Sequence, residues 1–214
     1  MKQFAVIGLG RFGSSVARTL ARMGYEVLAV DTNEDRVNDL AEEVTYAVCV
    51  DAMDEQALKS LGLRNFDAVI VAIGQDVQSS ILVTVMLKEM GVPRVVAKAQ
   101  TELHGKVLQK VGADMVVFPE RDMGVRVAHA LASRNILDEI QLSPDYSIVE
   151  LVAPPEFVNK TLQESAMRRE YGVTVLAIRR GEEIIISPGA KHEIKEGDVL
   201  VVLGRVDRLR ALGG

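Results

Sequence analysis

The stretch Gln3-Phe4-Ala5-Val6-Ile7-Gly8-Leu9-Gly10-Arg11-Phe12-Gly13 decides the fold of this 214-residue chain. A short apolar run leads directly into three glycines with G-x-G-x-x-G spacing. At this spacing Gly8 permits a tight turn, Gly10 lets backbone N–H groups approach phosphate oxygens, and Gly13 lets a helix pack closely on the strand. The sequence therefore predicts a phosphate-binding turn between the first strand and the first helix.

Downstream of this turn, short runs rich in β-branched residues alternate with amphipathic segments, the pattern of repeated βα units. The predicted strands are Gln3–Gly8, Glu26–Val30, Tyr46–Val50, Asp67–Ile73, Arg94–Lys98 and Asp114–Phe118. The predicted helices between them are Phe12–Met23, Glu34–Glu43, Glu55–Leu61, Gln78–Met90 and Glu102–Val111. The fold class is therefore α/β, with a doubly wound parallel-sheet Rossmann domain at residues 1–137.

A long helix is predicted over Glu120–Leu137, where it leaves the sheet as the last element of this domain. Its apolar stripe contains Met123, Val127, Ala130 and Leu131, at helical spacing. Two interpretations stay open at this point. The stripe either packs on its own domain or forms a subunit interface or a strut to the next domain.

The chain after residue 137 has a different pattern, marked by Ser143-Pro144 and Ala153-Pro154-Pro155. One helix is predicted near Thr161–Glu170. The predicted strands are Ser147–Val152, Val173–Arg179, Glu183–Ser187 and Asp198–Leu203. The sequence therefore predicts a small α+β C-terminal lobe at residues 138–214.

Composition excludes several classes of protein. The 30 acidic and 25 basic side chains give a net charge of -5, which argues against a nucleic-acid partner. No apolar run approaches the roughly 18 residues that a membrane span requires, and we expect no secretory signal at the N-terminus. The single cysteine, Cys49, excludes an intramolecular disulfide and a multi-thiolate metal site. We expect a cytoplasmic protein.

Asp31 favours an adenine nucleotide as the ligand of the glycine turn. It ends the second predicted strand, 18 residues beyond Gly13, where a carboxylate accepts hydrogen bonds from both ribose hydroxyls. An acidic residue at this position disfavours a 2′-phosphate, so NADP is the least expected nucleotide.

The ends of the third and fourth strands offer further candidates for the cofactor. Asp51-Ala52 falls where this fold places the adenine edge, although Asp51 or Asp54 could equally be the N-cap of the next helix. Gly74 follows the fourth strand and permits close approach to a ligand. Phe12 joins the cofactor set as part of the glycine turn.

Three charged residues at carboxyl ends of strands point toward phosphate. Arg11 lies inside the glycine turn, Lys98 ends the fifth strand and Glu120 follows the sixth. Arginine can fork onto a terminal phosphate and lysine can act as a point charge, while the carboxylate can hold a cation or pair with the arginine. A surface salt bridge is the alternative.

Catalysis has little support in the sequence. His104, His129 and His192 are interpreted as surface or packing residues, and Cys49 as a small hydrophobe within a strand core. There is no H-E-x-x-H, G-x-S-x-G or Walker A motif. We therefore expect no enzymatic activity; the alternative, a small NAD(H)-dependent oxidoreductase, would need a proton donor that the sequence does not supply. A redox-sensing repressor would need a DNA-recognition segment, and none is present.

Taken together, these features resemble the RCK/KTN (TrkA-type) family of potassium-transport regulators. The stretches that carry the resemblance are Phe4–Gly13, Ala47–Ala52, Leu61–Asp67, Pro119–Met123 and Tyr171–Gly181. The resemblance implies a cytosolic nucleotide-binding subunit that is peripheral on the inner face of the cell membrane. Its partner would be an integral-membrane potassium-conducting subunit of the Ktr or Trk type. Homodimers formed through the long helix would assemble into an octameric gating ring.

The resemblance also implies roles for the charged residues. ATP would activate the ring and ADP would inactivate it, with NAD or NADH less expected. Arg11 would meet the γ-phosphate, Lys98 would support the phosphates, and Glu120 would help hold a divalent cation or sodium there. Asp31 would hold the ribose and Asp51 the adenine.

The C-terminal lobe resembles family domains that bind cyclic di-AMP at a dimer interface. The matching positions are Thr174, Val175, Ile178, Arg179 and Pro188, with Thr174 where the family often has asparagine. A simple hydrophobic dimer core would explain the apolar members of this set equally well.

Overall fold

The computed structural model describes residues 2–132 and 135–213, and the chain divides into two compact units, Met1–Glu120 and Arg121–Gly214. No helix among the described residues is both long and apolar enough to cross a membrane.

The first unit is a six-stranded parallel sheet with helices between its strands. The strands are β1 (Gln3–Ile7), β2 (Glu26–Asp31), β3 (Tyr46–Cys49), β4 (Ala68–Val71), β5 (Val95–Lys98) and β6 (Met115–Val117). The helices are α1 (Arg11–Arg22), α2 (Glu34–Asn38), α3 (Glu55–Ser60), α4 (Val77–Glu89) and α5 (Glu102–Lys110). The strand order β3-β2-β1-β4-β5-β6 confirms the predicted Rossmann class. β1 pairs with both β2 and β4, so the winding reverses beside it, where this fold binds ligands.

The central strands of the sheet are buried on both faces, which explains their continuous apolar runs. Successive residues of β1 point to opposite faces: Ala5 and Ile7 pack in one apolar cluster and Val6 in the other. Both clusters draw on β1, β2 and β4, so the strands that lead to the switch point are also the best packed.

Helix α1 lies so close to the preceding turn that only glycine fits at two positions. A Cβ on Gly13 would stand 1.9 Å from the carbonyl oxygen of Gly8. Gly8 has a φ of 95°, and a Cβ there would stand 3.0 Å from backbone atoms of Ala72 and Ile73. Gly10 is different, because a Cβ there would meet nothing within 4 Å.

Two predictions about the first unit are wrong in detail. Helix α2 ends at Asn38 instead of Glu43, and tighter bonds such as Leu40 N–H to the Val37 carbonyl follow it. Cys49 is exposed, because β3 is an edge strand of the sheet. Its thiol donates to the Thr32 carbonyl at 3.4 Å.

The second unit contains a five-stranded antiparallel sheet of order β10-β9-β11-β8-β7. The strands are β7 (Ile136–Gln141), β8 (Tyr146–Val152), β9 (Thr174–Arg180), β10 (Glu183–Ile186) and β11 (Val199–Arg205). The helices are α6 (Pro119–Ala132), whose first two residues belong to the first unit, and α7 (Leu162–Ser165), α8 (Met167–Glu170) and α9 (Val206–Gly213). The α+β class predicted for this lobe is therefore confirmed.

Three features of this unit differ from prediction. The long helix ends at Ala132, and Leu137 belongs to β7, a strand that pairs with β8 and was not predicted. The one predicted helix is two, α7 and α8, separated by Ala166 in the left-handed conformation. Helix α9 was not predicted, although its Leu209 and Leu212 are buried three residues apart.

The apolar stripe of α6 remains exposed in the structure. Met123, Val127 and Leu131 are 54%, 48% and 82% exposed. The side chain of Ala130 lies outside the described residues. The structure therefore does not show the stripe packed on its own domain, which was one of the two alternatives.

A buried carboxylate ties β9 to the turn before β11. Asp198 is fully buried, and it accepts hydrogen bonds from Arg180 Nε and Nη2 at 2.8 Å each and from Lys195 N–H at 2.8 Å. Burial alone would raise the pKa of Asp198, but these donors outweigh it and the pKa lies below its ordinary value. The carboxylate is therefore held ionised.

Gly13→Ala should destabilise the first unit by about 3 kcal/mol or more, because the new methyl would overlap a backbone oxygen that cannot retreat. Gly10→Ala is the matched control and should cost no more than about 1 kcal/mol, since its methyl meets open space. Denaturant unfolding measures both. Equal losses for the two variants would contradict the packing described here.

Asp198→Asn should destabilise the lobe by about 2 kcal/mol at neutral pH, because Arg180 then loses its charged partner. The folded pKa of Asp198 lies below the unfolded value of about 3.9, so its stabilisation is complete above that value. It is lost as pH falls through the folded pKa, and the two proteins should converge there. Asp207→Asn, which removes an exposed partner of Arg205, is the control and should change little.

Candidate nucleotide-binding site

A cavity of about 690 Å³ opens at the carboxyl ends of the parallel strands, within the first unit. Its size is within the range of small-molecule and cofactor sites. Ten of the predicted cofactor and metal residues line it: Gly8, Gly10, Arg11, Phe12, Asp31, Asp51, Ala52, Gly74, Lys98 and Glu120. Gly13 is not part of the lining and instead holds α1 against the turn.

The amino end of α1 faces this cavity without a side-chain cap. Its N-cap is Gly10, which has no side chain, whereas α2, α3, α4 and α5 begin with capping side chains from Asn33, Asp54, Asp76 and Thr101. The first N–H groups of a helix need an acceptor, and their field is positive. Open space at Gly10 lets a phosphate approach these groups, so the turn fits the group that the sequence predicts.

Asp31 is fixed at the end of β2 by two backbone donors. Leu9 N–H donates to its Oδ2 at 2.6 Å, and Asn33 N–H donates to its Oδ1 at 2.9 Å. Its side chain is only 7% exposed, and Arg36 Nη1 lies 3.5 Å from Oδ2. Each oxygen retains a further lone pair for a ribose hydroxyl. The carboxylate is therefore rigidly placed before any ligand binds.

The structure separates the two roles that the sequence left open for Asp51 and Asp54. Asp54 caps α3 by accepting from Gln56 and Ala57 N–H. Asp51 instead accepts from Met53 N–H at 2.9 Å, two residues on, and lies at the cavity wall beside buried Ala52. Asp51 is thus exposed to the cavity and not used as a helix cap.

Lys98 and Glu120 form an ion pair in the cavity wall, beside Phe12 of the glycine turn. Lys98 Nζ lies 2.5 Å from Glu120 Oε1, and the lysine side chain is 11% exposed against 65% for the glutamate. Nζ also lies 5.9 Å from the centre of the Phe12 ring, and a Cβ on Gly74 would stand 3.5 Å from it. A buried ammonium therefore has one carboxylate partner that is open to solvent.

This pair and Arg11 act on one another electrostatically. The hydrogen bond from Lys98 outweighs burial and holds the pKa of Glu120 below its ordinary value. The charges of Lys98 and Arg11 lower the pKa of Glu120 further. Two cations and one ionised carboxylate therefore meet beside the glycine turn.

Several residues of the cavity wall were missed by sequence reasoning. They are Thr32, Arg36, Met53, Gln75, Asp76, Ser79 and Gln100. The side-chain and backbone hydrogen bonds from Ser79 lower the pKa of Asp76, which caps α4. Asp76 could have been predicted as a site residue, because it lies only two residues after Gly74. Arg36 gave no such signal, because it lies in a short polar helix directly after two acidic residues, Glu34 and Asp35.

No ready-made metal site is present among the described residues, where no three His, Cys, Asp or Glu side chains are grouped to hold an ion. Glu120, the predicted metal ligand, is paired with Lys98. A cation here would need ligand oxygens from a bound phosphate.

Neither of the described histidine side chains, His104 and His192, lines this cavity. His104 is 3% exposed, its Nδ1 accepts weakly from Gln100 N–H at 3.4 Å, and burial lowers its pKa. His192 Nδ1 accepts from Gly189 N–H at 2.9 Å. The side chain of His129 lies outside the described residues.

A second cavity of about 350 Å³ lies in the second unit. Thr174, Val175 and Pro188 line it, together with residues of α7 and α8 that include Arg168 and Arg169. The other two candidates are elsewhere. Ile178 is fully buried in the core of the lobe, and Arg179 Nη2 lies 3.5 Å from Glu150 Oε2.

The family follows from two matches that between them cover both units. Residues 4–119 match the TrkA-N domain and residues 146–213 match the TrkA-C domain. The chain belongs to the TrkA family. This confirms the resemblance to RCK/KTN (TrkA-type) proteins that the sequence motifs carry.

This TrkA-family chain has close relatives among potassium uptake proteins. It is 51% identical over 205 residues to the Ktr system potassium uptake protein C of Bacillus subtilis (strain 168), covering 96% of this chain and 93% of the relative. It is 43% identical over 208 residues to the Ktr system potassium uptake protein A of Vibrio alginolyticus, covering 97% and 94%.

A solved structure of the GsuK channel bound to NAD shares the fold, with a TM-score of 0.68, 20% identity and 99% of this TrkA-family chain covered. The chain spans only 38% of that GsuK chain. At this identity the likeness concerns the fold alone.

Lys98→Met should raise the pKa of the Glu120 carboxyl toward its ordinary value, because the lysine hydrogen bond is the main cause of the lowering. Carbon-detected NMR titration of glutamate carboxyls would measure the change. Lys88→Met removes the exposed partner of Asp114 and should leave Glu120 unaltered. An unchanged Glu120 in the Lys98 variant would show that the ion pair is not formed in solution.

Proposed function

We propose that this protein is a nucleotide-binding regulatory subunit of a potassium uptake system, activated by ATP and inactivated by ADP. The observation that carries the proposal is the meeting of Arg11, Lys98 and Glu120 beside the uncapped amino end of α1. The Ktr relatives support the potassium part, since they are potassium uptake proteins similar over nearly the whole chain.

From one end to the other, the cavity offers the charged and polar groups that the parts of an adenine nucleotide require. Asp31 at one end accepts from ribose hydroxyls, with Asp51 and Ala52 beside the adenine. Gly10 and the start of α1 receive the phosphates. Lys98 and Arg11 at the other end supply the positive charge that a terminal phosphate needs.

ATP and ADP would affect the Lys98–Glu120 ion pair differently. A γ-phosphate near Lys98 competes with Glu120 for the ammonium and brings a further negative charge toward the glutamate. Arg11 or a divalent cation or sodium shared by Glu120 and the phosphates would relieve that repulsion. ADP lacks this phosphate and leaves the ion pair intact. A ligand shifts an equilibrium only through such a difference between states.

Glu120 lies on the first turn of α6, which begins at Pro119 and carries the exposed apolar stripe. We propose that α6 is a homodimer interface and that dimers assemble into an octameric ring on an integral-membrane potassium-conducting subunit. The chain would then be cytoplasmic and peripheral to the membrane. A nucleotide-binding domain at 1–137 and a C-terminal domain at 138–214 remain the proposed functional division.

We propose no enzymatic role. Among the described residues that line the first cavity there is no histidine, cysteine or tyrosine to serve as a proton donor. NAD or NADH remains a candidate ligand, since the GsuK channel of similar fold has been solved bound to NAD.

We propose cyclic di-AMP as a second ligand of the protein, bound in the smaller cavity. Thr174, Val175 and Pro188 form part of its wall, and Arg168 and Arg169 place positive charge there. Ile178 and Arg179 are not included in this proposal, because one is in the core and the other pairs with Glu150.

Arg11→Ala should reduce the preference for ATP over ADP by about tenfold, because a charge-assisted hydrogen bond to the terminal phosphate is lost. Calorimetric titration of nucleotide-stripped protein with ATP, ADP and NADH measures it, with molar mass followed by light scattering. Arg22→Ala, an exposed arginine of α1, is the matched control.

Asp31→Ala distinguishes the two ends of the site in the same titrations. It should weaken ATP and ADP alike, since both carry the ribose. Unchanged discrimination in Arg11→Ala, or a loss confined to ATP in Asp31→Ala, would refute the assigned roles. Tight NADH binding by a dimer without affinity for ATP would favour the oxidoreductase alternative.

A further inference from the structure

Arg36 lies where the ribose of a bound nucleotide would meet Asp31. Its Nη1 is 3.5 Å from Asp31 Oδ2, and its side chain is 54% exposed and lines the cavity. No other carboxylate among the described residues lies within ion-pair distance of this guanidinium. Sequence reasoning did not include Arg36 in the site.

The geometry points to Arg36 as a specificity-determining residue that lets the site accept a phosphate ester on the ribose 2′ hydroxyl. This inference rests on the proposed binding of adenine nucleotides. It revises the expectation, drawn from Asp31 alone, that 2′-phosphorylated nucleotides are the ones least accepted.

The negative charge of Asp31 is already compensated in the structure. Leu9 and Asn33 N–H each donate to one of its oxygens, and the guanidinium stands beside Oδ2. A carboxylate excludes a nearby phosphate because like charges repel, and a cation equally close offsets much of that repulsion. The pair Asp31–Arg36 therefore excludes a phosphate less than Asp31 would by itself.

The guanidinium is also in reach of the phosphate that it would bind. A 2′ oxygen beside Asp31 can no longer donate once it is esterified, but the phosphate that it carries would lie beside the carboxylate, within reach of a guanidinium whose Nη1 is 3.5 Å from Asp31 Oδ2. At 3.5 Å the guanidinium does not form a short hydrogen bond with Asp31, and arginine carries five N–H donors suited to a forked phosphate contact.

Arg36 can serve this role without disturbing the fold of its helix. Its backbone N–H, not its side chain, completes the Asn33 cap of α2 at 3.0 Å. Substitution of the side chain therefore leaves the cap in place. Lysine at this position would retain the charge but lose the fork.

The test compares adenosine 5′-monophosphate with adenosine 2′,5′-bisphosphate, which differ only in the 2′-phosphate. Calorimetry on the full chain should give wild-type affinities for the two within about tenfold of each other. Arg36→Ala should weaken the bisphosphate at least tenfold and change the monophosphate less than threefold. Arg36→Lys should fall between, and Arg22→Ala should match wild type. Adenosine 3′,5′-bisphosphate reports whether recognition is confined to the 2′ position.

The outcomes separate this inference from the proposed function. If the monophosphate and ADP bind but the wild type rejects the 2′,5′-bisphosphate by more than a hundredfold, the inference is wrong. An unchanged ratio in Arg36→Ala also overturns it. Failure of every adenine nucleotide to bind would instead refute the proposed function on which it rests.

Discussion

The contact between the carbonyl of Gly8 and the backbone of Gly13 is the constraint on which the rest of the first unit depends. With no side chain between them, α1 begins directly above the end of β1, and its uncapped amino end opens at the switch point of the sheet. The same tight turn aims Leu9 N–H at Asp31 across the β1–β2 pair. One backbone approach thus sets the positions of both the uncapped amino end of α1 and the carboxylate of Asp31.

Most acidic residues of the cavity accept hydrogen bonds that hold its loops in place. Each accepts from a nearby donor: Asp31 from Leu9 and Asn33, Asp51 from Met53, Asp76 from Ser79, and Glu120 from Lys98. A carboxylate with bound donors is rigid and carries less free negative potential. This explains how a chain of net charge -5 can present a site suited to anions. The loops are fixed by carboxylates, which leaves Arg11 and the Lys98–Glu120 pair to meet the ligand.

Sequence reasoning predicted the parallel sheet well for a physical reason. Its central strands are buried on both faces, and glycines follow four of its helices, so strand, turn and helix are all encoded locally. The ends of those strands meet at one edge by topology, which brought together Asp31, Lys98 and Glu120 from distant parts of the chain. Position within the fold, more than local pattern, therefore made these site predictions possible.

The failures occurred where long-range pairing or a neighbouring element decides the outcome. The run Ile136–Gln141 has apolar residues at helical spacing, yet it pairs with β8. Cys49 looked internal because its strand is apolar, but that strand lies at the sheet edge. Successive side chains of β9 alternate between the two faces of the sheet, and this alternation places Ile178 in the core and not at a ligand surface. Arg36 was recognised as a candidate only from its distance to Asp31 in the structure.

The exposure of Cys49 provides a practical handle. It is the only cysteine in the sequence, it lies on the outer strand, and it pairs in register with Asp31 on the neighbouring strand. A thiol-reactive fluorophore would attach to the natural chain at a single position, one strand away from the carboxylate assigned to the ribose. Ligand occupancy could then be followed optically in the unsubstituted protein, without first building a cysteine-free background.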